Sequence, residues 1–485
     1  MLSHARRFST IFRQPVNNAH VLHITDTEGR DFLPFVRKNK FLRYHPDSGL
    51  HFHNARGTPY LIFGGDATDR GPHDLETTEL LIDFKQRHPG NVFLLAGNRE
   101  IKNTRFKELN QQQMRERILT TESPFWLPPE MHTTPRTYVK SKIEDKQKGI
   151  SDIAIEYYLK SLSPAHAQIL YLHWMLEKTM GSPHAFRYRK EELKRRSNKK
   201  TVTDEEVLQS FIDESMPNGL MGKYLQHAQL GVIIPGTQIM AVHGGLTVDS
   251  VGMVPGEAAK IHSATDWIDK LNLWFQDQIQ LWINTPASLT AVAGDTALSR
   301  AMLPISGQKK TAVTADTLNA NRELTEIDST VIDYLKRNNI SVVLHGHQPC
   351  GDHPLFLRSD GDEVLFINGD TGYAKFDPSN PDDTIGNVYH SLSLLANPHM
   401  VTINVDARLS DDIDVKTELS ISGDKIYGDK FVGRLLPGGE VVQCKLPEDD
   451  YYRLISQRGF KVTYSTVTEA ELVRRLSTSP LRMTS

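Results

Sequence analysis

The chain is 485 residues long and nearly neutral, with 56 Lys and Arg against 59 Asp and Glu and a formal net charge of −3. That balance excludes bulk electrostatic attraction to nucleic acid or an anionic membrane, and 39% hydrophobic with 24% charged residues is ordinary globular composition. The two cysteines, Cys350 and Cys444, are too few for a disulfide framework or a zinc ribbon, so a reducing, cytoplasmic compartment is the simplest expectation.

The first 25 residues contain no acidic side chain and carry Arg6, Arg7 and Arg13 with two serines. They read as a mitochondrial-type presequence or as a plain tail, and a tail over residues 1–19 is the expectation. From residue 20 one device recurs: a short apolar strand that ends in polar residues. "HVLHITDTEG" delivers Asp26 and Glu28, "PYLIFGGDATDRGP" delivers Asp66, Asp69 and Arg70, and "NVFLLAGNRE" delivers Asn98 and Arg99. Between the second and third, "DLETTELLIDFKQRHPG" has the spacing of an amphipathic helix closed by Pro89-Gly90.

Residues 106–228 then read as a mainly helical insertion. Ser163-Pro164 has the form of an N-cap with proline at the first helical position, opening a helix that stops at Gly181. Thr203 and Glu206 form a capping-box pattern. The basic run "RYRKEELKRRSNKK" between them reads as a solvated helix end or as a docking surface for an acidic or phosphorylated partner.

The longest charge-free stretch, Leu225 to Val248, contains Pro235-Gly236 and Gly244-Gly245 and reads as two strands around a tight turn, not as a membrane span. It delivers His243, and "ISVVLHGHQP" delivers His345 and His347. Trp267, Leu271, Trp274 and Leu281 fall near helical spacing and are expected in the core. From Asp406 glycine turns and alternation predict a small β-rich C-terminal domain, 406–485, separable from the site and ending in the helix "TEAELVRRLS". Strands alternating with helices, with polar residues at the strands' carboxyl ends, predict an α/β sheet with its site along that edge.

The strand ends supply three carboxylates (Asp26, Glu28, Asp66), one amide (Asn98) and two imidazoles (His243, His347). Oxygen and nitrogen ligands without thiolates suit divalent Mn, Fe, Zn or Mg better than a structural zinc. The six groups exceed one ion's needs, whereas two ions roughly 3.5–4 Å apart, sharing a carboxylate, would use them all to polarise a phosphoryl group and activate a water. Arginine nearby is consistent, because its planar fork matches phosphate oxygens. Each motif alone is weak; their occurrence in this order, each behind an apolar strand, is not.

The series "TDTEG", "GGDATDRGP", "AGNRE", "VHGGL" and "HGHQP" resembles the calcineurin-like metallophosphoesterase superfamily, in its phosphoprotein phosphatase branch, over about residues 20 to 375. That resemblance implies a β-sandwich flanked by helices in an αββα arrangement over 20–405. It also implies two divalent ions, with Mn²⁺ expected and Fe, Zn or Mg as alternatives, and a phosphorylated protein as substrate. By the same resemblance Asp26 and bridging Asp66 hold the first ion, and Asp66, Asn98, His243 and His347 the second. Asp69 matches the aspartate that pairs with the general acid, and Arg70 a phosphate-binding arginine.

Two positions depart from the family's pattern. Glu28 stands where it has a metal-ligand histidine, and Arg99 where it has the catalytic histidine. Glutamate still ligates a hard ion, but arginine is not deprotonated in proteins and is no general acid. It can stabilise charge on the phosphoryl group. Arginine at this place, "FRYRKEEL" and "INGDTGY" are similar to a subgroup of parasite phosphatases and secreted bacterial effector phosphatases of the Legionella type. The leading expectation is a two-metal phosphomonoesterase acting on phosphoserine, phosphothreonine or phosphotyrosine by direct attack of an activated water. A dinucleoside polyphosphate hydrolase, with Tyr373 or Phe376 stacking on a base, and a non-catalytic phosphopeptide-binding scaffold are the alternatives.

Overall fold

The computed structural model describes residues 18–110, 113–123, 131–144, 151–284, 324–372, 388–448, 450–458 and 461–477. The expected tail lies almost wholly outside them, as do Tyr373 and Phe376. The chain begins with β1 (Ala19–Ile24), α1 (Leu33–Lys38), the hairpin of β2 (Leu42–His45) and β3 (Gly49–Phe52), then β4 (Thr58–Phe63), α2 (Asp74–Arg87), β5 (Val92–Leu95) and α3 (Asn98–Asn103). The helical stretch follows as α4 (Met114–Thr120), α5 (Pro135–Glu144), α6 (Asp152–Ser161), α7 (Pro164–Trp174), α8 (Ala185–Ser197), α9 (Asp204–Glu214) and α10 (Leu220–His227). Next come β6 (Ala228–Gln229), β7 (Gly231–Ile233), β8 (Ile239–Val242), α11 (Ala264–Asn284), α12 (Ser329–Arg337), β9 (Val342–His345), β10 (Leu355–Arg358) and β11 (Leu365–Asn368). The chain closes with β12 (His390–Ala396), β13 (Met400–Arg408), β14 (Asp414–Ser422), β15 (Lys425–Gly428), β16 (Val441–Lys445), β17 (Tyr451–Arg458), β18 (Lys461–Thr468) and α13 (Glu469–Ser477).

Strand periodicity builds the layers. Along β4, Tyr60 and Ile62 point into one apolar cluster while Leu61 and Phe63 point into another, and β5, β8 and β9 alternate in the same way. The first cluster lies between an eight-stranded sheet, ordered β15-β14-β13-β12-β1-β4-β5-β6, and a five-stranded sheet, ordered β10-β11-β9-β8-β7. The second joins the outer faces to helices, with Leu81 and Phe84 of α2 on one side and Trp267, Phe275 and Trp282 of α11 on the other. The result is a mixed α/β fold, two sheets flanked by helices, with further β structure toward the C-terminus. On α11 the buried stripe is Trp267, Leu271, Phe275, Ile279 and Trp282, whereas Leu281, expected in the core, is 52% exposed. With 3.6 residues per turn, position 281 falls beyond the Trp267 edge of that stripe, on the side away from Phe275 and Ile279.

The described residues of 106–228 are mainly helical. Ser163 Oγ accepts from His166 N, and Thr203 and Glu206 form the reciprocal capping box. α7 runs on through a π-helical turn over Met175–Thr179 to Gly181, whose φ of +66° ends it. The insertion has its own apolar cluster, including Phe106, Trp174 and Phe211. The basic run folds as α8 with intramolecular partners. Arg195 and Arg196 pair with Glu76 and Glu79 of α2, at 3.0 and 2.7 Å, and Lys190 with Asp204 at 2.6 Å. Arg189 is fully buried over the Phe211 ring, with Glu214 at 2.6 Å, Asp74 at 3.3 Å and Glu192 at 3.9 Å.

The expected boundary at 406 falls inside β13, which pairs antiparallel with β12 and β14, while β12 pairs with β1. β14 and β15 therefore extend the same sheet as β1. Alternation and glycine turns look alike in an added domain and in an antiparallel extension, so residue pattern alone did not separate them. Beyond this, the three-stranded sheet β16-β17-β18 grips the loop after β9. Arg453 Nη2 lies 3.0 Å from Asp352 Oδ2, which also accepts from Ser410 N at 2.8 Å. No helix among the described residues is long and apolar enough to cross a membrane.

A chain ended at Asp406 is expected to be insoluble or unfolded, because it loses β14, β15 and the buried Val415, Leu419 and Ile421; a soluble, cooperatively unfolding product would contradict this pairing. Arg189→Met strands three buried carboxylates and is expected to lower unfolding stability by about 3–5 kcal/mol in denaturant titrations. A loss below about 1 kcal/mol would show that these acids are neutralised without Arg189.

Candidate functional site

β1, β4 and β5 are mutually parallel in one sheet, and β8, β9 and β11 in the other, so their carboxyl ends meet at one rim. The loops there continue the strand pairing. Asp26 N donates to Gly65 O, Glu28 N to Asp66 O and Gly29 N to Ala67 O, at 2.7–2.9 Å, and Arg70 N donates back to Glu28 O at 3.0 Å. This pairing holds Asp26, Glu28, Asp66 and Asp69 at positive φ (50°, 46°, 54° and 97°), and His347 has φ 71°. Left-handed backbone at five non-glycine positions costs on the order of 1–3 kcal/mol each, and such strain collects at functional sites. Close approach explains two glycines: a Cβ on Gly97 would strike the Asp66 carboxylate, and one on Gly346 that of Asp26.

Asp66 sits at the centre, 3% exposed. Its Oδ1 accepts from Arg99 N at 2.9 Å and lies 3.5 Å from His243 Nε2, and its Oδ2 is 3.7 Å from Arg99 Nε. Glu100 locks the backbone beneath it: Gly97 N and Asp66 N donate to Oε2 at 2.8 and 3.0 Å, and Ala67 N to Oε1 at 2.6 Å. Burial opposes charge on both Asp66 and His243, but each stabilises the other. The Asp66 carboxyl stays below the usual carboxylate range, and the His243 imidazole is held up at about 10. Gly64 O, 2.8 Å from Nδ1, directs Nε2 of His243 toward Asp66 and toward Asn98 Oδ1 at 3.3 Å.

Ligating atoms of Asp66, His243 and His347 lie within 4.8 Å of one another. Asn98 joins them in either amide orientation. With its nitrogen inward it donates to Asp66 Oδ2 at 3.2 Å and His347 Nδ1 at 2.7 Å; with its oxygen inward it adds a lone pair to theirs. A cation between them relieves that convergence of acceptors, so one carboxylate, one amide oxygen and two imidazoles fit a divalent ion.

The other predicted residues stand differently. Asp26 faces the His347 backbone, whose N donates to both carboxylate oxygens at 3.0 and 3.1 Å. Glu28 lies between two guanidiniums: Arg99 Nε donates to Oε1 at 2.8 Å and Arg70 Nη1 to Oε2 at 3.3 Å. Asp69 is fully buried; its Oδ1 accepts from Asn103 Nδ2 at 2.9 Å, and its Oδ2 is 3.9 Å from Arg99 Nη1.

Sequence reasoning missed three contributors. Ser182 Oγ, from the insertion, accepts from Arg99 Nη1 at 3.0 Å. Asp74 Oδ1 accepts from Asp69 N at 2.9 Å and ties that turn to Arg189. Asp370 follows β11, a sixth strand end; burial, with the Glu28 charge adding, pushes its carboxyl up to about 7. The strand "VLFIN" before "GDTG" was the available signal for Asp370. Nothing local marked Ser182.

A family model described as calcineurin-like phosphoesterase matches residues 19–162, the segment that carries Asp26, Glu28, Asp66, Asp69, Arg70, Asn98 and Arg99. A solved protein serine/threonine phosphatase from Saccharomyces cerevisiae, with similarity to human phosphatase PP5, aligns over 78% of this chain and 73% of its own. At 15% identity and a TM-score of 0.30, that likeness carries no further argument.

Asp66→Asn is expected to leave secondary structure intact and to weaken divalent-ion binding at least tenfold, read by elemental analysis after desalting beside circular dichroism. Full metal content in the variant would remove Asp66 from the donor set.

Proposed function

We propose that this protein is a divalent-metal-dependent phosphomonoesterase acting on phosphorylated protein, with aryl phosphate, and so phosphotyrosine, as its better substrate. The observation that carries this reading is the meeting of two kinds of group at one rim. A candidate ion-binding set (Asp66, Asn98, His243, His347) stands beside the Arg99 guanidinium, 3.7 Å from Asp66 Oδ2, and Glu28 joins that guanidinium to Arg70; both arginines are under 9% exposed.

A divalent ion held by that set would supply Lewis-acid polarisation of a phosphoryl oxygen and a water of lowered pKa, and the mixed oxygen and imidazole donors, without thiolate, suit Mn²⁺, Fe or Zn. The chain's own residues do the rest. Arg70 and Arg99 offer fixed N–H donors to the phosphoryl oxygens and lose no reorganisation energy as charge develops there. Glu28 and Ser182 fix the Arg99 plane, and Asp69 balances its charge. Burial opposes the Arg99 charge, but the carboxylates of Glu28, Asp66 and Asp69 outweigh it and keep Arg99 protonated beyond its ordinary range, so it holds its protons and passes none to a leaving oxygen. Leaving oxygens of low pKa, such as phenolates, need that proton least.

Arg99→Ala is expected to cost about 2–4 kcal/mol in kcat/KM on p-nitrophenyl phosphate and on a phosphotyrosine peptide. The wild type is expected to turn over aryl phosphates faster than alkyl phosphates, with Mn²⁺ restoring most activity after chelation. Wild-type rates from Arg99→Ala on both ester classes, or turnover by fully chelated protein, would refute the assignment.

A further inference from the structure

Glu28 and Arg99 are the two departures from the pattern this chain resembles, and the structure puts them in contact. Arg99 reaches Glu28 Oε1 through Nε at 2.8 Å and Nη2 at 2.7 Å, and Arg70 Nη1 reaches Oε2 at 3.3 Å. These side chains are 5%, 10% and 4% exposed for Glu28, Arg99 and Arg70. Both carboxylate oxygens are thus engaged by buried, charge-assisted bonds. Ligating an ion with either would break one and cost a buried guanidinium its shortest charge-assisted bond.

The first-ion set implied by the resemblance is Asp26 and Asp66, with Glu28 standing at the place of a ligand histidine. Among the described residues, the His, Cys, Asp and Glu side chains that converge as a group of three are instead Asp66, His243 and His347. The oxygens of Asp26 both accept from His347 N. Beside Asp66 Oδ2, at 3.7 Å, stands a permanent cation, Arg99 Nε. A second divalent ion there would face that charge at short range in a poorly solvated rim, and like charges so placed repel strongly.

We propose that the centre takes one divalent ion, on Asp66, Asn98, His243 and His347, and that the Arg99 guanidinium, positioned by Glu28, supplies the second positive charge at Asp66. Glu28 is then a positioning residue for both arginines and not a metal ligand. The exchange of an imidazole for a carboxylate and of another for a guanidinium is a single coupled change: the new anion holds the new cation. This rests on the metal-dependent reading above, but its test is a binding measurement that does not require turnover.

Metal-stripped full-length protein is titrated with Mn²⁺ by calorimetry, and the bound ion is counted by elemental analysis. One ion per chain is expected for the wild type and for Glu28→Gln, with dissociation constants within about threefold, while inorganic phosphate binds Glu28→Gln at least fivefold more weakly. That split between unchanged metal and weakened anion is one that a purely structural residue would not produce. Two ions per wild-type chain, loss of an ion in Glu28→Gln, or unchanged phosphate affinity each overturns the proposal. The pair Glu28→His with Arg99→His removes the guanidinium and is expected to gain a second ion. A folded double variant that still binds one overturns the role given to Arg99. Absence of phosphatase activity with one ion bound would sink the proposed function and leave this inference standing.

Discussion

The rim of the two sheets depends on keeping one carboxylate, Asp66, charged while it is buried. An isolated carboxylate there would take up a proton; three neighbours prevent it. His243 lies 3.5 Å away, Arg99 offers both its backbone N–H and its side chain, and His347 adds a third favourable interaction. Those partners come from three strand ends in two sheets, so the charge at Asp66 also fastens the sheets to each other. Positive φ at Asp66 is part of the same bargain: the strained turn aims the carboxylate inward, and the pairing of the β1 and β4 loops sustains the strain.

Elements added to the two-sheet core act on this rim. The helical insertion supplies Ser182 to Arg99, and through Arg189 and Asp74 it holds the turn that carries Asp69. At the other side, Arg453 of β17 and Ser410 hold Asp352, five residues beyond His347. Among the described residues, neither addition contributes a side chain to the Asp66, His243 and His347 group. Each instead fixes a loop whose backbone would otherwise relax toward easier φ, which is how rigid support makes a strained site possible.

The pairing of Glu28 with Arg99 changes how the departures from the resembled pattern are understood. Taken singly, a glutamate for histidine reads as a change of metal preference and an arginine for histidine as loss of a general acid. Placed 2.8 Å apart in a buried rim, they are each other's shortest charge partner, so losing either removes the strongest compensation of the other's buried charge. The second reading needs both residues at once, and they lie 71 positions apart in the chain.

Local chemistry by itself determined much of this protein. Period-two alternation and abrupt polar ends located β1, β4, β5, β8 and β9, and caps located α7 and α9, because these signals are written within a few residues and act through nearest neighbours. Asp26, Glu28, Asp66, Asp69, Arg70, Asn98, Arg99, His243 and His347 lie at the rim, since parallel strands can present their carboxyl ends only at one edge. Tertiary structure alone decided which of them converge as a candidate ion site and which face one another. Asp66, His243 and His347 converge, while Glu28 turns to Arg70 and Arg99 and Asp26 to a backbone amide. It also decided that β12 to β15 extend the sheet of β1, and that Ser182 and Arg189 support the site. These outcomes depend on loop conformations at positive φ and on strand pairings between residues up to several hundred positions apart, such as Ala19 with Ala396. Sequence periodicity carries no information about contacts at that separation, because only the packed sheets bring the partners together.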